Sequence, residues 1–400
     1  MPNTIYYLWM QCALGVSPAL RTQEILAAFA GGAKEIFEAS GYERRVAGVF
    51  TNVQLSRLNG TPLERAEKIL EECAGHGAHI LSPQDAAYPA RLLEIPNFPL
   101  ALFVRGSLEC LRNRLPLAVV GTRRASSKSV DIAARLCADL TRAGCAVVSG
   151  GALGIDSAAH WGVLHAGGCT AAVLGCGLDI NYPAENASLR AKIAERGAVV
   201  TEYPFGTAPA AKNFPIRNRL ISGMSAGTIV IEAGEKSGSL ITASCAAEQG
   251  RDVFAVPGDA FGSTYTGGNK LIRDGAKPVF SAMDILEEYE LIYPELLDMR
   301  RVERDLERPS AAPETVKVKP PAPAKSPPPS LARGDGPQAR GEQLSPLEQH
   351  ILQLLKESPL HIDAIMKATG APYGELFAAL MALEMQEAIQ QAPGKMYTIS

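Results

Sequence analysis

Residues 212–258, KNFPIRNRLISGMSAGTIVIEAGEKSGSLITASCAAEQGRDVFAVPG, read in order as a loop, a helix opened by basic residues, a buried strand, a glycine-serine loop, a second helix and a second strand. Thr228–Glu232 is a short apolar run rich in β-branched residues, Ser239–Gln249 carries helical spacing, and Val253–Val256 is again strand-like, so the unit is βαβ. In sheets built from such units, ligands sit beyond the carboxyl ends of the strands. Here those ends carry Glu232–Ser239 and Pro257-Gly258, with Lys212, Arg217 and Arg219 close by in sequence. Free backbone amides beside guanidinium groups suit a phosphate-bearing ligand.

Working outward, the chain from Leu117 alternates strand and helix: LAVV, a helix over about 128–143, AVVS, a helix from about Asp156, TAAVL, a helix through Arg190, and AVV. This alternation predicts an α/β fold, a doubly wound parallel sheet with right-handed crossovers. Gly121-Thr122, Gly150-Gly151, Gly175-Cys176-Gly177 and Glu232-Ala233-Gly234 mark the strand exits and are expected along one rim. Residues 116–284 hold 16 Lys and Arg against 14 Asp and Glu, in a chain whose net charge is −3, so the sheet region is its basic part.

A chain of 400 residues with 46% hydrophobic residues is expected to form two or three globular domains. The negative net charge argues against a general basic coat for nucleic acid, so any polyanion site must be local. The eight cysteines are scattered without a CxxC pair, and read as small buried residues of a reducing compartment rather than metal ligands. The N-terminus shows no secretion signal and no apolar run reaches membrane-spanning length, so the reading is a cytoplasmic protein with no membrane partner.

Residues 1–115 read as a small helical domain, with helical patterns at Pro18–Phe29 and Leu63–His76 and an extended connector from Tyr88-Pro89 to Phe103-Val104. Leu14-Gly15-Val16-Ser17-Pro18 fits either a plain turn or the turn of a helix-hairpin-helix. Residues 116–300 form the sheet domain, and 301–343 a linker, since nine prolines between 309 and 337 leave nothing to build a core. Residues 344–400 show three helical patterns, Ser345–Lys356, Ile362–Thr369 and Tyr373–Glu387, then a hairpin turning at Pro393-Gly394, an order like a winged helix. With three Lys, no Arg and six acidic residues, this segment suits a protein contact or regulation better than DNA.

Val120-Gly121-Thr122-Arg123-Arg124-Ala125-Ser126 leaves the first strand and enters a helix, offering close backbone approach, free amides and two guanidinium forks; a solvated Arg pair beside a turn is the plainer alternative. Ser149–Asp156 repeats the arrangement without matching a dinucleotide or P-loop signature, and Asp156 reads as a helix cap. His160, four residues on, reads as a hydrogen-bonded core histidine, general-base chemistry being the sharper alternative. On a helical wheel Arg217 falls with Leu220, Ile221 and Met224 while Arg219 falls nearly opposite, so the two arginines are expected to differ. Phe214, Tyr203 and Phe205 are each either core or a platform for a stacked base.

The motifs VGTRRAS, SGGALGIDSAAH, LGCGLDINYP, NFPIRNRLISG, EAGEKSGSLITA and AVPG, preceded by YPARLLEI and followed by the winged-helix-like end, resemble the DprA (Smf) family of bacterial DNA-processing proteins. The resemblance implies an extended Rossmann-like domain between a SAM- or helix-hairpin-helix-like domain and a winged helix. It implies binding of single-stranded DNA, a homodimer, help in loading a RecA-type recombinase during natural transformation, and neither a cofactor nor known catalysis. Carried onto this chain, the DNA-contacting set is Gly121, Arg123, Arg124, Lys212, Phe214, Arg217, Arg219, Ser237 and Ser239. Two other readings stand beside it: a Rossmann-like nucleotide phosphoribohydrolase, although EAGEKSGSLITA lacks the paired glycines and Glu of that loop, and a scaffold whose rim holds only a small anion or an acidic partner tail.

Overall fold

The computed structural model describes residues 3–298 and 345–399, apart from 18, 261 and the short runs 372–374, 377–378, 381–382, 385–387 and 393–395. The linker read over 301–343 and the turn at Pro393-Gly394 lie outside the described residues. The chain forms two units, Met1–Pro323 and Ala324–Ser400.

In the first unit, β3 (Leu115–Val120), β4 (Cys145–Ser149), β5 (Thr170–Leu174) and β6 (Ala198–Thr201) are buried along their whole length, as apolar runs without alternation must be when helices cover both faces of a parallel sheet. With β1 (His79–Leu81), β2 (Leu102–Gly106), β7 (Gly227–Val230), β8 (Asp252–Ala255) and β9 (Lys277–Pro278) they make a nine-stranded sheet in the order β1-β2-β6-β5-β4-β3-β7-β8-β9. From β3 the chain steps outward to β4, β5 and β6, then returns to place β7 on the other side of β3, where Ala118 pairs with Val148 on one flank and with Thr228 on the other. The reversal opens a crevice at the carboxyl ends of β3, β4 and β7. Helices α7 (Ser127–Arg142), α8 (Ile155–His165), α9 (Ala187–Arg196), α10 (Asn213–Gly223) and α11 (Ser239–Glu248) follow the strands within a few residues of the positions read from sequence.

The boundary expected at residue 115 does not hold. The region read as an extended connector supplies β2, which pairs antiparallel with β6 and carries β1 at the sheet's edge. The helices before it, from α1 (Thr4–Leu14) to α6 (Glu64–Gly75), share one core with the sheet: Tyr7, Leu8, Trp9 and Met10 pack in the same cluster as Phe103, Leu174, Leu189 and Ile193. Gln11 ties the two together, its Nε2 donating to Glu202 O and its Oε1 accepting from Ala101 N, both at 2.7 Å. A second correction concerns the cysteines. Cys110 and Cys169 form a disulfide between residues 59 positions apart, a pairing no local pattern announces, whereas Cys12, Cys73, Cys137, Cys145, Cys176 and Cys245 are free thiols. Among the described residues no helix is long and apolar enough to cross a membrane.

In the second unit, Ser345 and Glu348 close a capping box before Pro346–Glu357, and Gly370, in the left-handed region, ends Ile362–Thr369. The positions described between 375 and 384 are helical, and Leu360–His361, Ile389–Ala392 and Met396–Ile399 form a small antiparallel sheet. Ile351, Ile365, Leu376, Leu380 and Tyr397 build its core, which gives a winged-helix arrangement.

Candidate nucleic-acid interface

The turn leaving β3 is fixed from three sides. Thr122 N donates to Glu232 O at 2.8 Å, and Ile155 N donates to Thr122 O at 3.3 Å. Glu232, 1% exposed, accepts from Ser126 N at 3.0 Å and from Ser126 Oγ at 3.2 Å, while Ser126 Oγ also caps α7 by accepting from Ser129 N. Gly121 abuts Ile155, and Gly154, at φ 78°, lets α8 begin so close that a Cβ there would stand 2.4 Å from Thr122 O. The result is a braced loop from which Arg123 and Arg124 project, both exposed.

Arg123 lies over the ring of Phe214, 4.9 Å from its centroid. Phe214 is half-buried at the start of α10, set against Gly175 at the exit of β5 so closely that a Cβ on that glycine would come within 2.9 Å of the ring. Asn213 holds this position by donating to Gly175 O at 3.0 Å. Lys212, exposed, occupies the N-cap of α10 and makes no side-chain capping bond. A cation at a helix N-terminus opposes the macrodipole by about 0.3–1 kcal/mol, so helix stability does not account for it.

Beneath these groups Arg217 is 4% exposed, and its Nη1 donates to Gly150 O at 2.7 Å and to Val173 O. Asp156 is its neighbour, since a Cβ on Gly150 would lie 2.7 Å from both Asp156 Oδ2 and Arg217 Nη1. Burial lowers Arg217 to about 10, against the pull of Asp156, and burial raises Asp156, with Arg217 acting the other way. Arg217 thus stays charged at neutral pH in the floor of the site, beside Asp156. Asp156 does not cap α8, whose N-cap is Gly154, but accepts from Ala152 N at 3.2 Å. On the β7 side the hydroxyls of Ser237 and buried Ser239 meet at 2.8 Å, and Asn218 donates to Gly238 O at 3.2 Å. Together these groups line a cavity of about 350 Å³ at the crevice. A second cavity of about 350 Å³ lies at the opposite ends of the strands, beside Arg114, Gly144 and Leu296.

Of the nine residues read as DNA-contacting, seven line this cavity, and exposed Lys212 stands two residues before Phe214, which lines it. Arg219 is the correction: it is 5% exposed and spends its Nη2 on both oxygens of buried Glu202, at 2.9 and 2.8 Å. Both arginines of the helix are therefore buried, and the wheel separates the partners they find rather than core from solvent. Tyr203 is core and donates to Asn213 O at 3.3 Å, while Phe205 stacks on His76 at 4.6 Å, so neither is a rim platform. His160 is fully buried and bonded to Thr170 Oγ1 at 2.7 Å; because that hydroxyl donates to Val147 O, the network assigns the imidazole proton to Nδ1. Burial, with Arg217 adding, pushes His160 down to about 3, so it is a neutral core residue. The sequence places Glu232 on the rim but does not announce its bonds to Ser126, and Tyr182, beside Phe214, is the neighbour of the site that sequence reasoning passed over.

Residues 79–290 match the family described as DNA recombination-mediator protein A, and residues 320–395 match the DprA winged helix domain. The chain is 35% identical over 343 residues to protein Smf of Synechocystis sp., covering 82% of each chain. It is 44% identical over 207 residues to the DNA processing protein DprA of Streptococcus pneumoniae, covering 52% of this chain and 72% of the relative. The X-ray structure of DNA processing protein A from Streptococcus pneumoniae superposes with a TM-score of 0.61 at 34% identity, covering 72% of this chain and 98% of that one.

Proposed function

The chain belongs to the DprA (Smf) family of DNA recombination-mediator proteins, and on that premise we propose that its rim binds single-stranded DNA during natural transformation. The observation that carries the reading is the guanidinium of Arg123 laid over the half-exposed ring of Phe214, beside a lysine placed against its own helix dipole. Arg123, Arg124 and Lys212 meet phosphates, which carry no sequence information, and Phe214 offers a face on which any base stacks. Paired bases inside a duplex present no free face, so duplex binds more weakly. In this reading the chain acts as a cytoplasmic homodimer that protects incoming DNA and helps load a RecA-type recombinase; it binds rather than transforms its ligand.

The experiment is a titration of the full chain with an unstructured single-stranded oligonucleotide and with the matching duplex at one salt concentration. Tighter binding of the single strand is expected, and equal affinities would contradict the reading. Release of free base from a nucleoside monophosphate, measured on the same sample, would revive the phosphoribohydrolase alternative, which the family match does not favour.

A further inference from the structure

We propose that Tyr182 is a second base-stacking position, so that the single strand crosses the rim from the exit of β3 to the exit of β5 over two aromatic platforms in succession; this rests on the reading just given. The rings of Tyr182 and Phe214 lie 5.7 Å apart, tilted by 41°, and Phe214 in turn lies under Arg123. Arg123, which leaves β3, thus meets Phe214, and Phe214, set against Gly175 at the exit of β5, meets Tyr182 from the loop that follows β5, a succession of one cation and two rings.

Tyr182 is held by its backbone as well as by partial packing against the core. Its side chain stays half-exposed, while Arg190 Nη1 donates to Tyr182 O at 3.1 Å and to Pro183 O at 2.8 Å. The loop before it is pinned by Gly206 N, which donates to the Asp179 carboxylate at 2.9 and 3.0 Å. A rigid loop that presents an amphipathic ring at low conformational cost suits stacking against nucleobases of any identity. The tilt between the rings means that two bases, one on each, are splayed rather than coaxial, which an unpaired strand tolerates and a duplex does not.

The test uses the full chain and an unstructured oligonucleotide at fixed salt, with Tyr182→Ala, Tyr182→Phe, Phe214→Ala and the Phe214→Ala/Tyr182→Ala double variant, each checked for an unchanged unfolding midpoint. Tyr182→Ala is expected to weaken binding roughly five- to hundredfold, Tyr182→Phe to bind like the parent, and the double variant to bind more weakly than Phe214→Ala alone. On an oligonucleotide of equal length built only of abasic sugar-phosphate units, Tyr182→Ala should match the parent. The proposal is overturned if Tyr182→Ala binds like the parent, if it adds no loss in the Phe214→Ala background, if Tyr182→Phe loses as much as Tyr182→Ala, or if the loss persists on the abasic strand. Those outcomes leave the rim reading intact so long as Phe214→Ala and Arg123→Ala weaken binding; if neither does, the rim reading itself fails.

Discussion

Arg123, Arg217 and Arg219 are all read from the sequence as DNA-contacting and do three different things, because each meets a different environment. Arg123 is exposed over an aromatic ring, Arg217 is buried against backbone carbonyls beside Asp156, and Arg219 closes a buried pair with Glu202. Removing Arg219 leaves the Glu202 carboxylate, 7% exposed, without its partner, so Arg219→Ala should lower stability by roughly 3–5 kcal/mol in urea unfolding while the folded fraction keeps its DNA affinity. Arg123→Ala should do the reverse, with stability within about 0.5 kcal/mol of the parent and affinity reduced. The sequence made the special placement of Arg217 legible, since a charge on an apolar helix face demands a partner. It could not show that Arg219 is paired with a residue seventeen positions earlier at the exit of β6, because a helical wheel knows only its own helix. His160 supplies a pH signature. Its folded pKa of about 3 lies below the ordinary value near 6.5, so between these limits the unfolded chain binds a proton that the folded chain refuses. Stability should therefore fall as pH drops from about 6.5 toward 3, by up to about 1.4 kcal/mol per unit from this residue, and unfolding of His160→Gln followed at pH 7 and pH 4.5 should show a shallower loss. An identical loss would remove His160 from the account.

At the scale of elements, the rim works because α8 begins against the turn that carries Arg123. Gly154→Ala puts a methyl 2.4 Å from Thr122 O and 2.7 Å from Arg123 O, both backbone atoms, at a positive φ. It should lower stability by at least about 1 kcal/mol and also weaken DNA binding by moving the turn. Gly275→Ala is the control: its φ of 112° carries the same kind of strain, but no atom lies within 4 Å, so it should lower stability and leave binding alone. Unfolding midpoints and oligonucleotide titrations on the two variants check the difference. The strand-helix alternation and the glycine-marked exits were legible because periodicity is local. The antiparallel strands at Leu102–Gly106 and His79–Leu81 were not, since Leu102–Gly106 is short, follows a proline-punctuated segment and gains its hydrogen bonds by meeting β1 on one side and, nearly a hundred residues later, β6 on the other. The bond from Ser126 to Glu232 escaped for the same reason, joining two strand exits that become neighbours only when β7 returns beside β3.

Across the whole molecule, charge is distributed unequally. The sheet region carries the basic rim, whereas residues 344–400 hold three Lys against six Asp and Glu. A chain truncated before Ser310 should therefore keep its affinity for single-stranded DNA, and loss of most of that affinity in a folded truncation would show that the winged-helix unit reads DNA after all. The N-terminal helices are a different matter, because they share the core of the sheet through residues such as Trp9, Phe103 and Leu174 and cannot be removed without exposing it. The central claim, that phosphates are met at the exits of β3 and at the start of α10, is tested most directly by salt. Affinity of the parent, Arg123→Ala and Lys212→Ala for one unstructured oligonucleotide is measured across a range of salt concentrations. Each variant should bind more weakly, with a slope of log affinity against log salt shallower by about one phosphate contact; unchanged affinity and slope in both would place the DNA site elsewhere.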